Sequence, residues 1–429
     1  MYSRKNKLIL ISNLYFSSIF FASGYPPPPY PHCPSCTPPS FSNHFSFVVQ
    51  TQPTMLKWVQ SGLSAVAGTA EPEYGREAIH TVVDTINNGD CPVSRDTTIA
   101  DFNWLHPDYT NVETQTFYFL DLTSGYTGFA QVIHSNLMGL KTTAQFTFRL
   151  YNNKTGAEDE HCVWTLTALE NFRTDGSNFY ADGVSIEHSG DDTFVLKSTV
   201  NAESEVNLTM KRLTPGVIFG KDGLTYYGDN VNAPWGSMRH VFWPRCSVTG
   251  TIKLKNGTVD INGYTMFVMA MQGMKPHHAA KAWNFLNFQS DDFSAVQMEF
   301  TTPVSYALTK VNVAILTDKN LIIATSIDNE IVHEDAEQDD VGWNVPKAIT
   351  FNFKGSDGKL TVATVSGPIK ALVERVDVMA EIPQLIKNIV SGIAGAKPYI
   401  YQFCNTLTLE YDGKKVPGTA FNEVTFISE

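Results

Sequence analysis

Charge is scarce in this chain. Lys, Arg, Asp and Glu supply only 17% of its 429 residues while aromatics supply 12%, a balance that disfavours long charged helix faces and suits many short strands. Positive charge is scarcer still: 31 Lys and Arg stand against 43 Asp and Glu, a formal net charge of −12. Such a surface repels nucleic acid and anionic headgroups, so no nucleic-acid partner is expected and membrane contact has to be mainly apolar. Cysteine is limited to six. Cys33 and Cys36 sit together near the N-terminus, while Cys91, Cys162, Cys246 and Cys404 are scattered, which excludes a disulfide framework and favours buried free thiols. Long apolar runs are missing as well, because the stretch of about 14 residues from Leu8 falls short of the ~20 needed to span a bilayer. There is no phosphate-binding glycine loop, dinucleotide fingerprint, zinc-binding HExxH or GxSxG nucleophile elbow, so the motif-bearing enzyme classes drop out and no cofactor or metal is expected.

What is present begins with an unusual leader. Residues 1–54 contain Arg4, Lys5 and Lys7 as their only charges. An apolar stretch, LILISNLYFSSIFF, leads to Ala22, Ser23 and Gly24, and then to the proline-rich YPPPPYPHCPSCTPPS. The first part has the pattern of a secretory signal, and the second has no means of packing a core. His32, Cys33 and Cys36 make at most half a metal site, with no second pair near them. One reading is secretion, with glycans on the sequons at Asn153, Asn207 and Asn256. The other, favoured because the body reads as complete from Met55, is a gene-model extension. Without the leader, 28 basic residues face 43 acidic ones.

The segment MLKWVQSGLSAVAG predicts an amphipathic helix over residues 55–68. Met55, Leu56, Trp58, Val59, Leu63 and Val66 share one face, and Lys57, Gln60, Ser61 and Ser64 the other. A polar face this weakly charged points to insertion of apolar side chains, led by Trp58, between lipid headgroups. The Pro/Gly breaker GTAEPEYG follows and sets the helix apart from the body.

From about residue 95 the apolar pattern takes period 2, as in Thr114–Phe119, Gly128–Ile133 and Ala144–Leu150. Short strands continue at Cys162–Ala168, Val184–Glu187, Thr193–Val200 and Glu205–Leu213, and a second run follows from Ser247 to Val365. Thr406–Tyr411 and Glu423–Ile427 close the chain. A late helix is expected from Pro383, with Leu385, Ile386, Ile389, Val390 and Ile393 on one face. The fold class is therefore all-β, with two barrels in series: 69–222 and 223–429. Thr214–Gly250, too aromatic for a linker, is expected to be shared between them.

Several stretches resemble the fungal survival-factor family of tandem lipocalin-like proteins: MLKWVQSGLSAVAGTAEPEYG, GKDGLTYYG with PWGSMRHVFWPRC, and GYTMFVMAMQGMKPHHAAKAWNFLNFQSDDFSAVQMEFTTP. The resemblance implies two lipocalin-like domains and a membrane-docking N-terminal helix. It further implies a soluble carrier of ceramide or a related sphingolipid between endoplasmic reticulum and Golgi. Cytoplasmic and nuclear localisation and survival under oxidative stress go with that role. The leader departs from the family pattern.

Candidate lipid contacts are Trp235, Met238, Trp243, Met266, Met269 and Met271, because Met adapts to irregular apolar guests. Along Met266–Met271 only one face is expected to look inward. A hydratase- or isomerase-like enzyme is the alternative, with His240 or Asp229 near Trp235 and Trp243 as the acid. The competing reading of His240 is structural: bonded to backbone beside a buried Trp. His277 and His278 are expected to be surface-loop residues, and the acidic run Glu334–Asp340 a solvated loop.

Overall fold

The computed structural model describes residues 74–428, apart from 108–110, 138–140, 191, 275, 356–360 and 379–396. The leader, the helix at Met55 and the late helix at Pro383 therefore lie outside the described residues.

Two strongly curved antiparallel sheets account for nearly all of what is described. The first runs, neighbour to neighbour, through Val163–Leu169, Lys141–Asn152, Tyr126–Leu137 and Asn111–Leu120. It continues through Gly257–Gln272, Gly236–Leu254, Glu205–Arg212, Thr193–Ser198, Val184–His188, Asn178–Ala181 and Arg173–Asp175. The second takes Ile322–Ile327, Lys310–Thr317, Ser294–Thr301, Ala282–Gln289, Lys414–Phe426, Tyr399–Tyr411, Thr361–Pro368, Ala348–Lys354 and Glu330–Glu334. Local chemistry sets the hairpins. Asp412 and Gly413 both have positive φ (50° and 71°), which matches the two-residue turn that joins right-twisted strands.

The hairpin Gly236–Gln272 lies in the middle of the first sheet, so the division expected at residue 222 falls some fifty residues too early. Gly257–Gln272 is a single long strand. The error has a physical source: from Tyr264 onward this strand is covered on both faces, so no alternation marks which barrel it serves. Phe267 and Met269 point into the first barrel, whereas Met266, Val268 and Ala270 pack against the second sheet. The expectation that a single face looks inward fails because the second sheet covers the other.

Three apolar clusters result. One fills the first barrel, with Phe117, Phe194, Trp243 and Phe267 at its centre. A second fills the other barrel around Leu286, Phe288, Phe351, Phe403 and Leu409. The third lies between the sheets and draws on both, including Tyr118, Phe242, Val268, Phe285, Met298 and Val313. Pro244, which lacks an N–H, coincides with a register shift between Trp243 and Cys246. The extra residue keeps both of those side chains inside the first barrel and leaves Arg245 to reach the second sheet. Arg245 donates to Ser290 O (3.0 Å), Ser294 Oγ (2.8 Å) and Asp291 O (2.8 Å) and stacks over Tyr264. It is the buried polar clamp between the two units. Cys91, Cys162, Cys246 and Cys404 are all free thiols, but only the last two are buried.

Candidate functional site: a crevice between the sheets

Strand register builds the site. Across the first sheet, Thr114, Ala270 and His240 form one row and Thr116, Val268 and Phe242 the next. The second sheet presents a single row: Gln402, Glu423, Phe285, Met298 and Val313. Two cavities of about 20 Å³ each lie between these rows and share His240, Phe242 and Met298. Each holds about one water-sized probe. Both linings are mostly apolar with a few polar groups: Thr114, Thr116 and Glu423 stand among Tyr118, Val268, Ala270 and Phe285 in one cavity, and Thr225 among Val82, Phe219, Phe300, Val311 and Val313 in the other.

The polar groups of the first of these cavities are buried. Thr116 Oγ1 accepts from Gln131 Nε2 at 2.7 Å, and Glu423 Oε1 accepts from Gln402 Nε2 at 2.6 Å. His240 is buried with no hydrogen-bond partner for Nε2. Burial, reinforced by the neighbouring Arg239 cation, pushes its imidazole down to about 3, so it is neutral at pH 7. Its ring lies 5.6 Å from that of Trp283. Its Nε2 therefore makes no backbone bond, and the buried indole beside it is Trp283.

The lipid-contact candidates divide. Met238 lines the crevice and Met266 belongs to the cluster between the sheets. Trp243 and Met269 are in the first-barrel core, where Trp243 Nε1 donates to Thr97 Oγ1 at 3.2 Å. Met271 is buried beside Arg239 and Glu113 in register. Trp235 is 37% exposed, at a corner with Tyr74, Tyr227, His278 and Tyr306. His278 is buried there, against expectation, because these rings cover it. Asp229 is exposed, and Trp235 and Trp243 do not converge on His240. In the acidic run, Asp339 caps a turn through the N–H groups of Val341, Gly342 and Trp343, so that part is ordered by its own carboxylate. Met55, Leu56, Trp58, Val59, Leu63 and Val66 lie outside the described residues. Sequence reasoning missed Thr114, Thr116, Phe285, Met298 and Glu423; only cross-strand register brings them together.

With this geometry in hand, similarity to known proteins becomes informative. The Svf1 family model matches residues 56–428. The chain belongs to the Svf1 family. Relatives named "Ceramide-binding protein SVF1" come from Debaryomyces hansenii, 65% identical, and Candida albicans, 60% identical. Each alignment covers 87% of this chain and 100% of the relative. Among solved structures, a putative AttH from Nitrosomonas europaea superposes with a TM-score of 0.53 at 13% identity, over 77% of this chain and 97% of that one. CghA in complex with Sch210972 gives 0.52 at 9% identity, over 74% and 89%. At such identities the likeness establishes a shared tandem lipocalin-like fold.

Proposed function

We propose that this Svf1-family protein binds a ceramide-class sphingolipid in the crevice between its two sheets and carries it between membranes. The observation that carries the reading is the crevice itself: a mostly apolar seam of Val268, Phe285, Met298 and Val313 in which Thr114, Thr116 and Glu423 supply a few polar groups. A ceramide has the matching chemistry, with an uncharged amide-and-hydroxyl head and two apolar chains, each CH₂ of which gains about 0.8 kcal/mol on leaving water. The relatives named as ceramide-binding proteins support the ligand class. Cavities of about 20 Å³ are too small for such a guest, so uptake requires the sheets to part. The flexible Met238, Met266 and Met298 would re-pack around the chains.

The Met55–Val66 face supplies reversible docking on the cytosolic side of endoplasmic reticulum and Golgi membranes, with oxidative-stress survival downstream of lipid carriage. A cytosolic setting agrees with four free thiols. It also agrees with Asn153, whose Nδ2 donates to Thr419 Oγ1 across the sheets at 3.2 Å, a bond a glycan would disrupt.

Mass spectrometry of lipids co-purified with the full chain, followed by cross-linking with a photoactivatable ceramide, is the direct test. Adducts on Thr114, Phe285 or Met298 are the expected result. Adducts confined to Phe119 or Phe148, inside the first barrel, would move the site. Leu63→Glu should abolish flotation with neutral liposomes while leaving ceramide binding intact.

One observation favours a second reading. His240 and Glu423 line the same cavity, as a base and an acid would in proton transfer to an apolar substrate. His240→Ala with unchanged ceramide capture and no altered lipid product would exclude it.

A further inference from the structure

Glu113 and His134 are direct partners across the antiparallel pair Asn111–Leu120 and Tyr126–Leu137, on the face that lines the first barrel. His106, in the loop that enters the first of these strands, brings a third donor. One ligand atom from each of the three lies within 4.8 Å of the others, and the two imidazole rings stand edge to face with centroids 4.5 Å apart. We propose that His106, Glu113 and His134 form a site for one divalent ion of the zinc class at the rim of the first barrel.

Burial and geometry carry this. Glu113 is completely buried, and its oxygens accept only backbone N–H groups, from Leu105 at 2.6 Å and His106 at 2.8 Å. Its ion-pair partner among the described residues is His106, with no Arg or Lys; a bound cation supplies the missing charge. His134 is only 5% exposed, and its Nδ1 has no partner.

His106 Nε2 is 2.8 Å from Thr174 Oγ1, while its Nδ1 lies 3.7 Å from Glu113 Oε2. With a metal ion bound at Nδ1, Nε2–H would donate to Thr174 Oγ1, the outer-shell orientation typical of metal-bound histidines. The donor set is two imidazoles and one carboxylate, which suits zinc better than magnesium or calcium. Trp104 stacks on His106 and contacts His134 at its edge, shielding the group from one side. Three protein donors leave one coordination position for water or a ligand atom.

The test uses the full chain, stripped with a chelator and titrated with Zn²⁺ against a chromophoric competitor, with Co²⁺ absorption as a report on geometry. One equivalent of Zn²⁺ is expected, with Co²⁺ bands of a four- or five-coordinate ion. His106→Ala, at a position 38% exposed and therefore compatible with folding, should weaken binding on the order of 100-fold or more; Thr174→Val should weaken it roughly tenfold. Glu113→Gln keeps an acceptor for the backbone and removes the charge, and should also lose the metal. Melting curves of the metal-free variants separate ligand loss from misfolding. Substoichiometric binding, binding that survives both His106→Ala and Glu113→Gln, or preference for Mg²⁺ over Zn²⁺ would each overturn the proposal.

Discussion

The interior of the first barrel and the crevice between the sheets are both buried, yet they are built of different materials. In the barrel Phe267 stacks on Phe117 at 4.4 Å and on Phe102 at 4.9 Å, with Phe194 and Trp243 closing around it. Rigid rings with few torsions pack densely and leave little to rearrange. The crevice interleaves Phe219, Phe242, Phe285 and Phe300 with Met, Val, Thr and one imidazole without a partner on Nε2, and it retains small voids. Flexible side chains and underused polar groups are the ingredients of a surface that re-forms around a guest. Under the proposed function a lipocalin-like barrel need not hold its ligand inside: the barrels would serve as jaws, and the seam between them as the adaptable part.

Substitutions on either side can break this contrast. The largest effect is expected from Phe267→Ala, which should cost about 4 kcal/mol in urea unfolding by leaving a cavity in the stacked core. Any folded fraction should still capture ceramide; a selective loss of capture would make the barrel the container. Next comes Arg245→Met. Four oxygens that now accept from one guanidinium lose their donor, at about 3 kcal/mol. Hydrogen exchange should show the sheets separating more readily.

His240 adds a pH dependence of known sign. Its folded pKa of about 3 lies below the usual 6.5. As pH falls below 6.5 the unfolded chain takes up a proton that the folded chain refuses. Stability is full above pH 6.5 and is lost progressively toward pH 3, by about 2 kcal/mol at pH 5. His240→Phe should flatten that slope by this amount in denaturation curves at pH 7 and pH 5. The smallest effect on stability is expected from Ala270→Leu, about 1 kcal/mol from overfilling a crevice cavity. It should nonetheless lower ceramide retention roughly tenfold. An equal tenfold loss from filling the first barrel would erase the contrast.

Much of the fold was legible from pattern. Period-2 stretches such as Thr114–Phe119 became strands because alternation is what a sheet with distinct faces demands. The division into barrels was misread at Gly236–Gln272, where both faces are buried and composition carries no sign of which sheet a strand joins. The site was less legible. Met238 and Met266, chosen for their adaptable side chains, lie on the side of the seam between the sheets, whereas Met269, chosen likewise, and Trp243 lie in the first-barrel core. Thr114, Phe285 and Glu423 carry no local signal at all. His106, Glu113 and His134 are spaced unlike any metal motif, and only the pairing of Glu113 with His134 makes them neighbours.

Sequence by itself determined the all-β class, the family and the acidic, poorly charged surface, because these depend on composition, periodicity and short motifs. It also carried the amphipathic pattern at Met55, which a helical wheel reads without neighbours. Tertiary structure decided where one barrel ends, which face of Met266–Met271 meets which partner, and which polar residues share a cavity. The reason is that register and sheet packing bring together side chains hundreds of residues apart, such as Thr114 and Glu423, and no local rule encodes which surface will cover them.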